Sequence, residues 1–390
     1  MIPRDRETSQ SAMSLQVAVP LLDRGYQVRV GEGLLGRVGA ELRRQYGRAR
    51  RVALVSDSNV MPLYGPAVSN NLRVAGFEVV EIMIPAGERS KNPGQLFEVI
   101  AAMLDGRLDR NDVVVALGGG VVGDLSGLAA SLFMRGIAFV QCPTSLLAQV
   151  DASVGGKVAV DLEAGKNLIG AFHFPGAVFI DPGVLRSLPD GETACGLAEM
   201  LKHGALFSAD HFHDLVRSAD AIYAGDEAAL TRLISASVAL KAACVGRDPL
   251  ERGESGAGRV VLNLGHTVGH AIEKMSNFAC KHGEAVALGL VASARISDAR
   301  QASERSGGRS GGGGAERLEP IITEALVRLR LPVDLSPWLA GGNAAVMESA
   351  LAADKKRSFS HLSYIVLRQL GEPGVVQLTA AEIVALLRAS

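Results

Sequence analysis

Residues 113–127 read VVVALGGGVVGDLSG, and this stretch decides the fold class. A run of β-branched residues ends at three glycines and continues as a helix-like segment, which predicts a buried strand, a tight turn and a helix. Gly118, Gly120 and Gly123 match G-x-G-x-x-G at this junction, where a helix N-terminus offers free N–H groups to a phosphate. A tight turn needs glycine for structural reasons alone, and the acidic residue expected roughly 20 positions later is missing. The stretch by itself therefore leaves a nucleotide site and a purely structural turn open.

Strand-like and helix-like segments alternate on both sides of this stretch. Such alternation predicts a parallel sheet with helices on its faces. The fold class is therefore α/β, with a Rossmann-like N-terminal domain over residues 15–182. The predicted strands are 51–56, 77–85, 112–119, 137–143 and 177–181. The predicted helices are 34–46, 60–75, 92–108 and 124–134.

The pattern changes after Pro182. Long segments rich in Ala and Leu follow with helical periodicity, and strand-like runs become rare until residues 363–369. We therefore expect a mainly α-helical second domain over residues 183–390, with ligands bound in the cleft between the two domains. Its predicted helices are 192–207, 226–245, 265–278 and 283–300.

Composition excludes several classes of protein. The 390 residues are 48% hydrophobic, which is typical of a globular chain. Net charge is −1, from 40 basic and 41 acidic residues, so no basic excess is available for nucleic acid or an anionic membrane. The four cysteines are scattered without a C-x-x-C, as in a reduced cytoplasmic protein. We expect no membrane span and no signal peptide, and a flexible Gly/Ser-rich loop at 303–317.

Two further segments favour an anionic ligand. In PAGERSKN (85–92), Glu88 would accept from ribose hydroxyls and Lys91 would face a phosphate, although a solvated charged turn explains the same residues. Residues 142–175 concentrate polar side chains that a core would not favour, including Lys157 and Lys166. Lysine presents a point charge that phosphate and carboxylate accept.

A third segment favours a metal. In VLNLGHTVGHAIE (261–273), His266 and His270 stand four apart, the spacing with which one helix face presents two imidazoles. Together with His282 and Glu199, they allow a three-ligand zinc site with an open position. Packed core histidines follow the same periodicity, so spacing alone leaves both interpretations open. Arg259 and Asn263 precede the pair and are expected to extend the same helix face, which no hydrophobic packing scheme requires.

The motifs taken together resemble one family. In order along residues 85–357, these motifs are PAGERSKN, GGGVVGDLSG, MRGIAFVQCPTSLLAQVDASVGGK, GKNLIGAFHFP, LAEMLKHG, LNLGHTVGHAIE, HGEAVALG and DKKR (354–357). Together they are similar to the motifs of the 3-dehydroquinate synthase family, which belongs to the sugar-phosphate cyclase superfamily.

This resemblance implies an activity. Members use bound NAD and a divalent metal, zinc or cobalt, to convert 3-deoxy-D-arabino-heptulosonate 7-phosphate to 3-dehydroquinate and phosphate. This is a lyase step of the shikimate pathway to chorismate and the aromatic amino acids. The implied sequence is transient oxidation by NAD, phosphate elimination, reduction, ring opening and intramolecular aldol closure. The family also implies a cytoplasmic homodimer with a small-molecule sugar-phosphate substrate.

The resemblance also assigns site residues by motif. The implied metal ligands are Glu199, His266 and His282. The implied NAD contacts are Asp57, Asn59, Glu88, Lys91, Gly119, Gly120, Val121, Asp124, Thr144, Ser145, Lys166 and Ser187. The implied substrate contacts are Arg135, Asp151, Lys157, Asn167, Lys202, Lys241, Arg259, Asn263, His270, Lys355 and Lys356. Within that set, the catalytic assignments are His270, Lys157, Asn167, Lys202, Arg259 and Asn263.

The chain departs from the family pattern in several places, which include Asp161, Met200, His203 and the Gly-rich stretch at 303–317. The segment 248–259 is a few residues longer than the same segment in the family. The acidic residue that the family has there could therefore be either Glu251 or Glu254. Which of Lys355 and Lys356 contacts substrate is equally open. The alternatives are a related cyclase making 2-epi-5-epi-valiolone, 2-deoxy-scyllo-inosose or aminodehydroquinate, a metal-dependent polyol dehydrogenase, and a non-catalytic NAD-binding protein.

Overall fold

A computed structural model describes most of the chain. It covers residues 14–21, 25–253, 258–306, 316–353 and 361–389. Glu254, Lys355, Lys356 and residues 307–315 of the Gly-rich stretch lie outside the described residues. Residues 303–306 were expected to belong to that loop but continue a helix.

The N-terminal half alternates strands and helices, as predicted. Its elements are β1 (Leu15–Val19), β2 (Tyr26–Val30), α1 (Val38–Gln45), β3 (Arg51–Asp57), α2 (Met61–Val74), β4 (Glu78–Ile84), α3 (Pro93–Asp105), β5 (Val113–Gly118), α4 (Gly120–Leu132), β6 (Ala138–Pro143), β7 (Lys157–Leu162), β8 (Gly165–Phe172) and β9 (Ala177–Ile180). The connections include short 3-10 helices at Leu34–Arg37, Glu88–Ser90, Phe133–Arg135 and Pro182–Ser187 and a short π-helix at Ala148–Ala152.

Seven of these strands form one sheet in the order β1-β2-β9-β6-β5-β3-β4. Every pairing is parallel except β1 with β2. The α/β class and the parallel sheet are therefore confirmed. The prediction missed β1 and β2 and also the β7–β8 hairpin. Strands β1 and β8 are mostly exposed and β2 alternates buried with exposed residues, so they carry weaker hydrophobic signals than the fully buried parallel strands.

The chain reverses direction within the sheet between β3 and β5. It runs from β3 outward to β4, then returns to the other side of β3 as β5 and continues to β6. In open α/β sheets, ligands bind outside the carboxyl ends of the strands at such a switch point. The glycine triplet at the end of β5 lies at this position.

The C-terminal half is mainly helical, as predicted. Its elements are α5 (Asp190–Phe207), α6 (Ala209–Arg217), α7 (Ala219–Tyr223), α8 (Glu227–Arg247), a 3-10 helix (Gly258–Asn263), α9 (His266–Met275), α10 (His282–Ser306), α11 (Leu318–Arg328), α12 (Ser336–Leu339), α13 (Asn343–Ala353), β10 (Leu362–Gln369), β11 (Glu372–Leu378) and α14 (Ala380–Arg388). The β10–β11 hairpin packs with the helices and contributes Tyr364 and Ile365 to their core.

Helix α8 differs from the expectation that no segment of the chain resembles a membrane span. Among the described residues it is the one helix with the length and apolar composition of a membrane span, a feature that was not expected from the sequence. Its Leu233, Ile234 and Val238 are fully buried in the core of the helical half. Core packing therefore accounts for its apolar composition.

Candidate active site

Glu199 is the centre of the candidate site. It lies in the middle of α5 and is fully buried, and neither carboxylate oxygen accepts a well-formed hydrogen bond from the described residues. Its Oε1 lies 3.5 Å from Nε2 of His266 and 3.5 Å from Nε2 of His282. Lys202, one turn further along α5, forms an ion pair with its Oε2. A buried carboxylate facing two imidazoles without hydrogen-bond partners is a suitable donor set for a divalent metal.

Two helix starts bring the histidines to Glu199. His266 is the first residue of α9 and His282 the first of α10. Gly265 caps α9 in the left-handed region (φ 78°), where a side chain would be strained. A Cβ on Gly289 would lie only 1.8 Å from the carbonyl oxygen of Gly265, so a glycine lets α10 approach the start of α9 this closely.

The other ring nitrogens fix the orientation of both imidazoles. Nδ1 of His266 lies 3.1 Å from the carbonyl oxygen of Leu264, and Nδ1 of His282 lies 3.4 Å from Oε1 of Glu273. A proton on each Nδ1 leaves each Nε2 available to a metal. The predicted ligand set of Glu199, His266 and His282 is thus brought together, with one donor atom from each within 4.8 Å of the others.

His270 takes a separate position on the same helix. Its ring centroid lies 5.3 Å from that of His266 and 6.4 Å from that of His282. It therefore borders the three donors without belonging to the set that the geometry brings together.

The expected extension of this helix face is wrong. Arg259 and Asn263 belong to a separate 3-10 helix that ends before Gly265, so they do not continue the periodicity of α9. The Arg259 side chain is buried and donates to the carbonyl oxygens of Gly155 and Pro249, whereas Asn263 is exposed. The left-handed cap at Gly265 breaks the helix that the four-residue spacing suggested.

The electrostatics of the three donors differ. Burial opposes ionisation of Glu199, but the positive charge of Lys202 and the neighbouring histidines hold its pKa well below the ordinary value. Burial and the nearby Lys202 lower the pKa of His266 to about 3, so this imidazole is neutral at pH 7. Burial also acts against the charged form of His282, but the carboxylates of Glu199 and Glu273, one beside each ring nitrogen, raise its pKa to about 9. A metal bound at Nε2 of His282 would therefore displace a proton from this ring.

Buried cations adjoin the metal donors. Nζ of Lys241 donates to Oδ1 of Asp151 over 2.7 Å, and Nε2 of His203 lies 3.6 Å from the same atom. Burial disfavours the charge of Asp151, but Lys241 and Lys202 hold its pKa well below its ordinary value.

Asp151, Glu199 and His203 form a second group of residues that could hold a metal. Because Oδ1 of Asp151 already accepts from Nζ of Lys241, we favour the His266 and His282 group.

A second basic group lies near the end of the β7–β8 hairpin. Lys157 forms an ion pair with Glu251, one of the two candidates for the family acidic position. A Cβ on Gly155 would meet Nη2 of Arg259 at 2.6 Å, so glycine is needed for the guanidinium to reach this loop. Arg259 thus contacts the loop at Gly155, and Lys157 follows in the sequence two residues later. The two basic residues therefore lie at the same loop.

The predicted NAD residues gather at the carboxyl edge of the sheet. Asp57 ends β3 and accepts from the backbone N–H groups of Asn59 and Val60, and Thr144 follows β6. Helix α4 starts at Gly120 without a side-chain cap, so its first N–H groups point to this edge. Ser145 lies beside Gly119: a Cβ added to this glycine would be 3.5 Å from Oγ of Ser145.

The glycines of the first motif have two different roles. A Cβ on Gly118 would clash with Val122, and one on Gly123 would lie 2.7 Å from Oε1 of Gln141. These two glycines permit tight packing of α4 on the sheet, which is the structural role that the sequence left open. Gly119 and Gly120 have no contact closer than 3.5 Å at that position, so they leave space beside the helix start.

Two ion-pair chains tie the edge of the sheet to the rest of the site. Nζ of Lys91 bonds Oδ2 of Asp124 and Oδ1 of Asn167, each at 2.6 Å. Burial raises the pKa of Asp124 to about 6 although Lys91 opposes that shift. The second ion pair joins Lys166 to Glu88, with Nζ of Lys166 lying 3.5 Å from Oε1 of Glu88.

Three predicted residues stand apart from these clusters. Ser187 bonds Tyr64, Arg135 is exposed at a left-handed turn after α4, and Asn263 is exposed. Among the described residues, no hydrogen bond or ion pair joins Arg135 to the metal donors. The assigned roles of these three residues stay predictions.

Comparisons with known proteins identify the family. A model named 3-dehydroquinate synthase N-terminal matches residues 81–195, and one named 3-dehydroquinate synthase C-terminal matches residues 196–357. The chain belongs to the 3-dehydroquinate synthase family. A relative with that name from Symbiobacterium thermophilum is 42% identical over 347 residues, which are 89% of this chain and 92% of the relative. Another from Geobacter metallireducens is 40% identical and covers 93% of this chain and 95% of its own length.

Solved structures of other cyclases share the fold of this 3-dehydroquinate synthase family member. ValA, a 2-epi-5-epi-valiolone synthase from Streptomyces hygroscopicus with NAD+ and Zn2+ bound, superposes with a TM-score of 0.80 at 28% identity, over 95% of this chain and 97% of that one. A 2-deoxy-scyllo-inosose synthase has a TM-score of 0.78 at 23% identity, over 97% and 100%, which shows the fold alone. The predicted resemblance is confirmed, and these rival cyclases are less similar than the 3-dehydroquinate synthases.

The sequence prediction missed one residue of the site. Glu273 is buried on α9, contacts His282 and lies 3.7 Å from Lys166. Its signal was its position seven residues after His266, two helical turns along the same face. It stands within the family stretch LNLGHTVGHAIE, where the two histidines drew attention first.

Proposed function

We propose that this chain converts 3-deoxy-D-arabino-heptulosonate 7-phosphate to 3-dehydroquinate and phosphate, as a carbon–oxygen lyase of the shikimate pathway. The observation that supports it most is the buried Glu199 carboxylate, which faces two imidazoles and pairs with the buried Lys202, while a second buried lysine, Lys241, pairs with Asp151. A metal donor set next to fixed positive charge suits a substrate that carries hydroxyl, carboxylate and phosphate groups.

Glu199, His266 and His282 would hold the divalent metal, zinc or cobalt. Their fit rests on the buried Oε1 of Glu199, which accepts no hydrogen bond from the described residues, and on the Nδ1 contacts that leave both Nε2 atoms facing it. When bound, the metal would act as a Lewis acid on the oxygens of the substrate. A carboxylate with two imidazoles is a donor set that zinc and cobalt accept.

The carboxyl edge of the sheet would hold NAD. The uncapped start of α4 and the space beside Gly119 and Gly120 fit a pyrophosphate, and the acidic Asp57 and Glu88 suit ribose hydroxyls. When bound, NAD would accept a hydride from the substrate and return it, with no net change of redox state. The other residues assigned to NAD are Asn59, Lys91, Val121, Asp124, Thr144, Ser145, Lys166 and Ser187.

Basic residues would hold the phosphate of the substrate. Lys157 and Arg259 are anchored at the same loop, and Asn167 bonds Lys91 at the adjoining hairpin. Fixed cations stabilise the leaving phosphate without reorganisation. One of Lys355 and Lys356 is assigned to the same group by its motif.

The opposite side of the site would bind the carboxylate and hydroxyl groups. Lys202 and Lys241 are buried and already paired with Glu199 and Asp151, so their positions are fixed before substrate arrives. His270 borders the metal donors and would move protons on the substrate hydroxyls. Asn263 and Arg135 are also assigned to the substrate.

One experiment separates this reaction from its rivals. Purified protein is incubated with NAD, zinc and the heptulosonate phosphate, with and without a chelator, while phosphate and dehydroquinate are measured. We expect both products in equal amounts, no net NADH, and loss of turnover with the chelator. Turnover of sedoheptulose 7-phosphate instead would indicate another cyclase. Net NADH formation would indicate a polyol dehydrogenase, and bound NAD without turnover a binding protein.

We infer an NAD-binding domain over residues 15–182 and a metal- and substrate-binding domain over 183–390. The two family models meet between residues 195 and 196, inside α5, close to this division. We also propose a homodimer in the cytoplasm, without nucleic acid or membrane partners.

A further inference from the structure

We propose that Glu273 is a positioning residue that holds the His282 imidazole in the orientation a metal requires; this rests on the metal site proposed above. Glu273 is only 4% exposed although it carries a charge, and no other role in the site is assigned to it. A buried carboxylate is costly unless it is paired, so its partners indicate what it does.

The first partner is His282. Oε1 of Glu273 lies 3.4 Å from Nδ1 of His282, while Nε2 of the same ring faces Oε1 of Glu199 at 3.5 Å. The imidazole therefore stands between two carboxylates, one at each nitrogen. A carboxylate at Nδ1 keeps the proton there, fixes the plane of the ring and makes Nε2 a better donor.

The two histidine ligands differ in how their rings are held. Nδ1 of His266 is fixed by the backbone carbonyl of Leu264, which no substitution of a side chain can remove. Nδ1 of His282 is fixed by a side chain. Substitution at Glu273 therefore tests the orientation of one ligand without altering any ligand.

The second partner is Lys166, which comes from strand β8 in the other half of the chain. Its Nζ lies 3.7 Å from Oε1 of Glu273 and 3.5 Å from Oε1 of Glu88, and it stands 4.9 Å above the ring of Phe278. Glu273 thus connects a metal ligand to a cation that also reaches the edge of the sheet. The cation offsets the buried charge of Glu273 and limits the directions its carboxylate can take.

The test compares Glu273→Ala and Glu273→Gln in metal-free full-length protein. Co2+ affinity is measured by competition with a chelator, and the visible absorption of bound Co2+ reports ligand geometry. We expect the alanine variant to bind Co2+ about 10- to 100-fold more weakly with an altered spectrum. The glutamine variant keeps an oxygen that accepts from Nδ1, so we expect it to retain the spectrum and most of the affinity.

Glu284→Gln is the matched control. Glu284 is two residues from His282, and its carboxylate accepts from the backbone of Lys281 at 3.0 Å. It removes one negative charge near the site without a contact to the His282 ring, so we expect less than a twofold change in affinity. A Glu273→Ala variant that binds Co2+ like this control, with the wild-type spectrum, would overturn the positioning role and leave the proposed reaction intact. Wild-type protein that takes up no Co2+ would overturn the metal site and this inference together.

Discussion

Oε1 of Glu199 lies 3.5 Å from Nε2 of His266, while His270, one turn further along the same helix, stands outside this contact. Two histidines with the same periodicity thus have different environments. We expect His266→Ala to abolish stoichiometric metal binding, because one of three donors is lost. We expect His270→Ala to keep the metal and to lower kcat by about 100-fold or more, the usual contribution of an acid–base group. Elemental analysis and steady-state kinetics of the two variants check both expectations. Equal metal loss in the two variants would contradict the assignment of different roles to His266 and His270.

Metal affinity should depend on pH through His282. The pKa of this imidazole is raised to about 9, so it is protonated at pH 7 in the metal-free protein, and the metal must displace that proton. Affinity for Co2+ should therefore rise about tenfold per pH unit between pH 6 and 8 and level off above about 9. His266, with its pKa lowered to about 3, adds no dependence in this range. Calorimetry in buffers of different ionisation enthalpy should give about one proton released per metal at pH 7, and a flat affinity over this range would refute the assignment.

The sequence predicted the chemistry better than its local geometry. The buried strands β3, β5 and β6 could be predicted because each is a short apolar run that contains valine, and β5 also ends at a glycine triplet. The four-residue spacing of His266 and His270 was also correct, because both lie within one helix. Extending it to Arg259 and Asn263 failed, since spacing cannot show that the chain turns left-handed at Gly265. Glu273 was missed because a glutamate near the end of a helix reads as solvent-exposed until α10 is packed over it.

Lys91 should stabilise the fold as well as the proposed NAD site. It donates to both Asp124 and Asn167, so Lys91→Met would leave the partly buried Asp124 carboxylate without its ion-pair partner. We expect a loss of up to about 3 kcal/mol in the free energy of unfolding, together with weaker NAD binding. The double variant Lys91→Met, Asp124→Asn should recover most of the stability, because no charge is left unpaired, but not the NAD affinity. Chemical denaturation and NAD titration check this, and a single variant as stable as the wild type would show that the pair is neutral.

Gly289 should control the approach of α10 to the start of α9. A Cβ at this position would lie 1.8 Å from the carbonyl oxygen of Gly265, a backbone atom that cannot rotate away. Gly289→Ala should therefore separate the two helices, lower the free energy of unfolding by about 1–3 kcal/mol and weaken Co2+ binding, because His266 and His282 begin these helices. Gly342→Ala is the control, since nothing lies within 4 Å of the added Cβ. Denaturation and Co2+ titration of both variants check the prediction. If Gly289→Ala lost stability but bound Co2+ as tightly as the control, the helix spacing would matter for the fold and not for the metal donors.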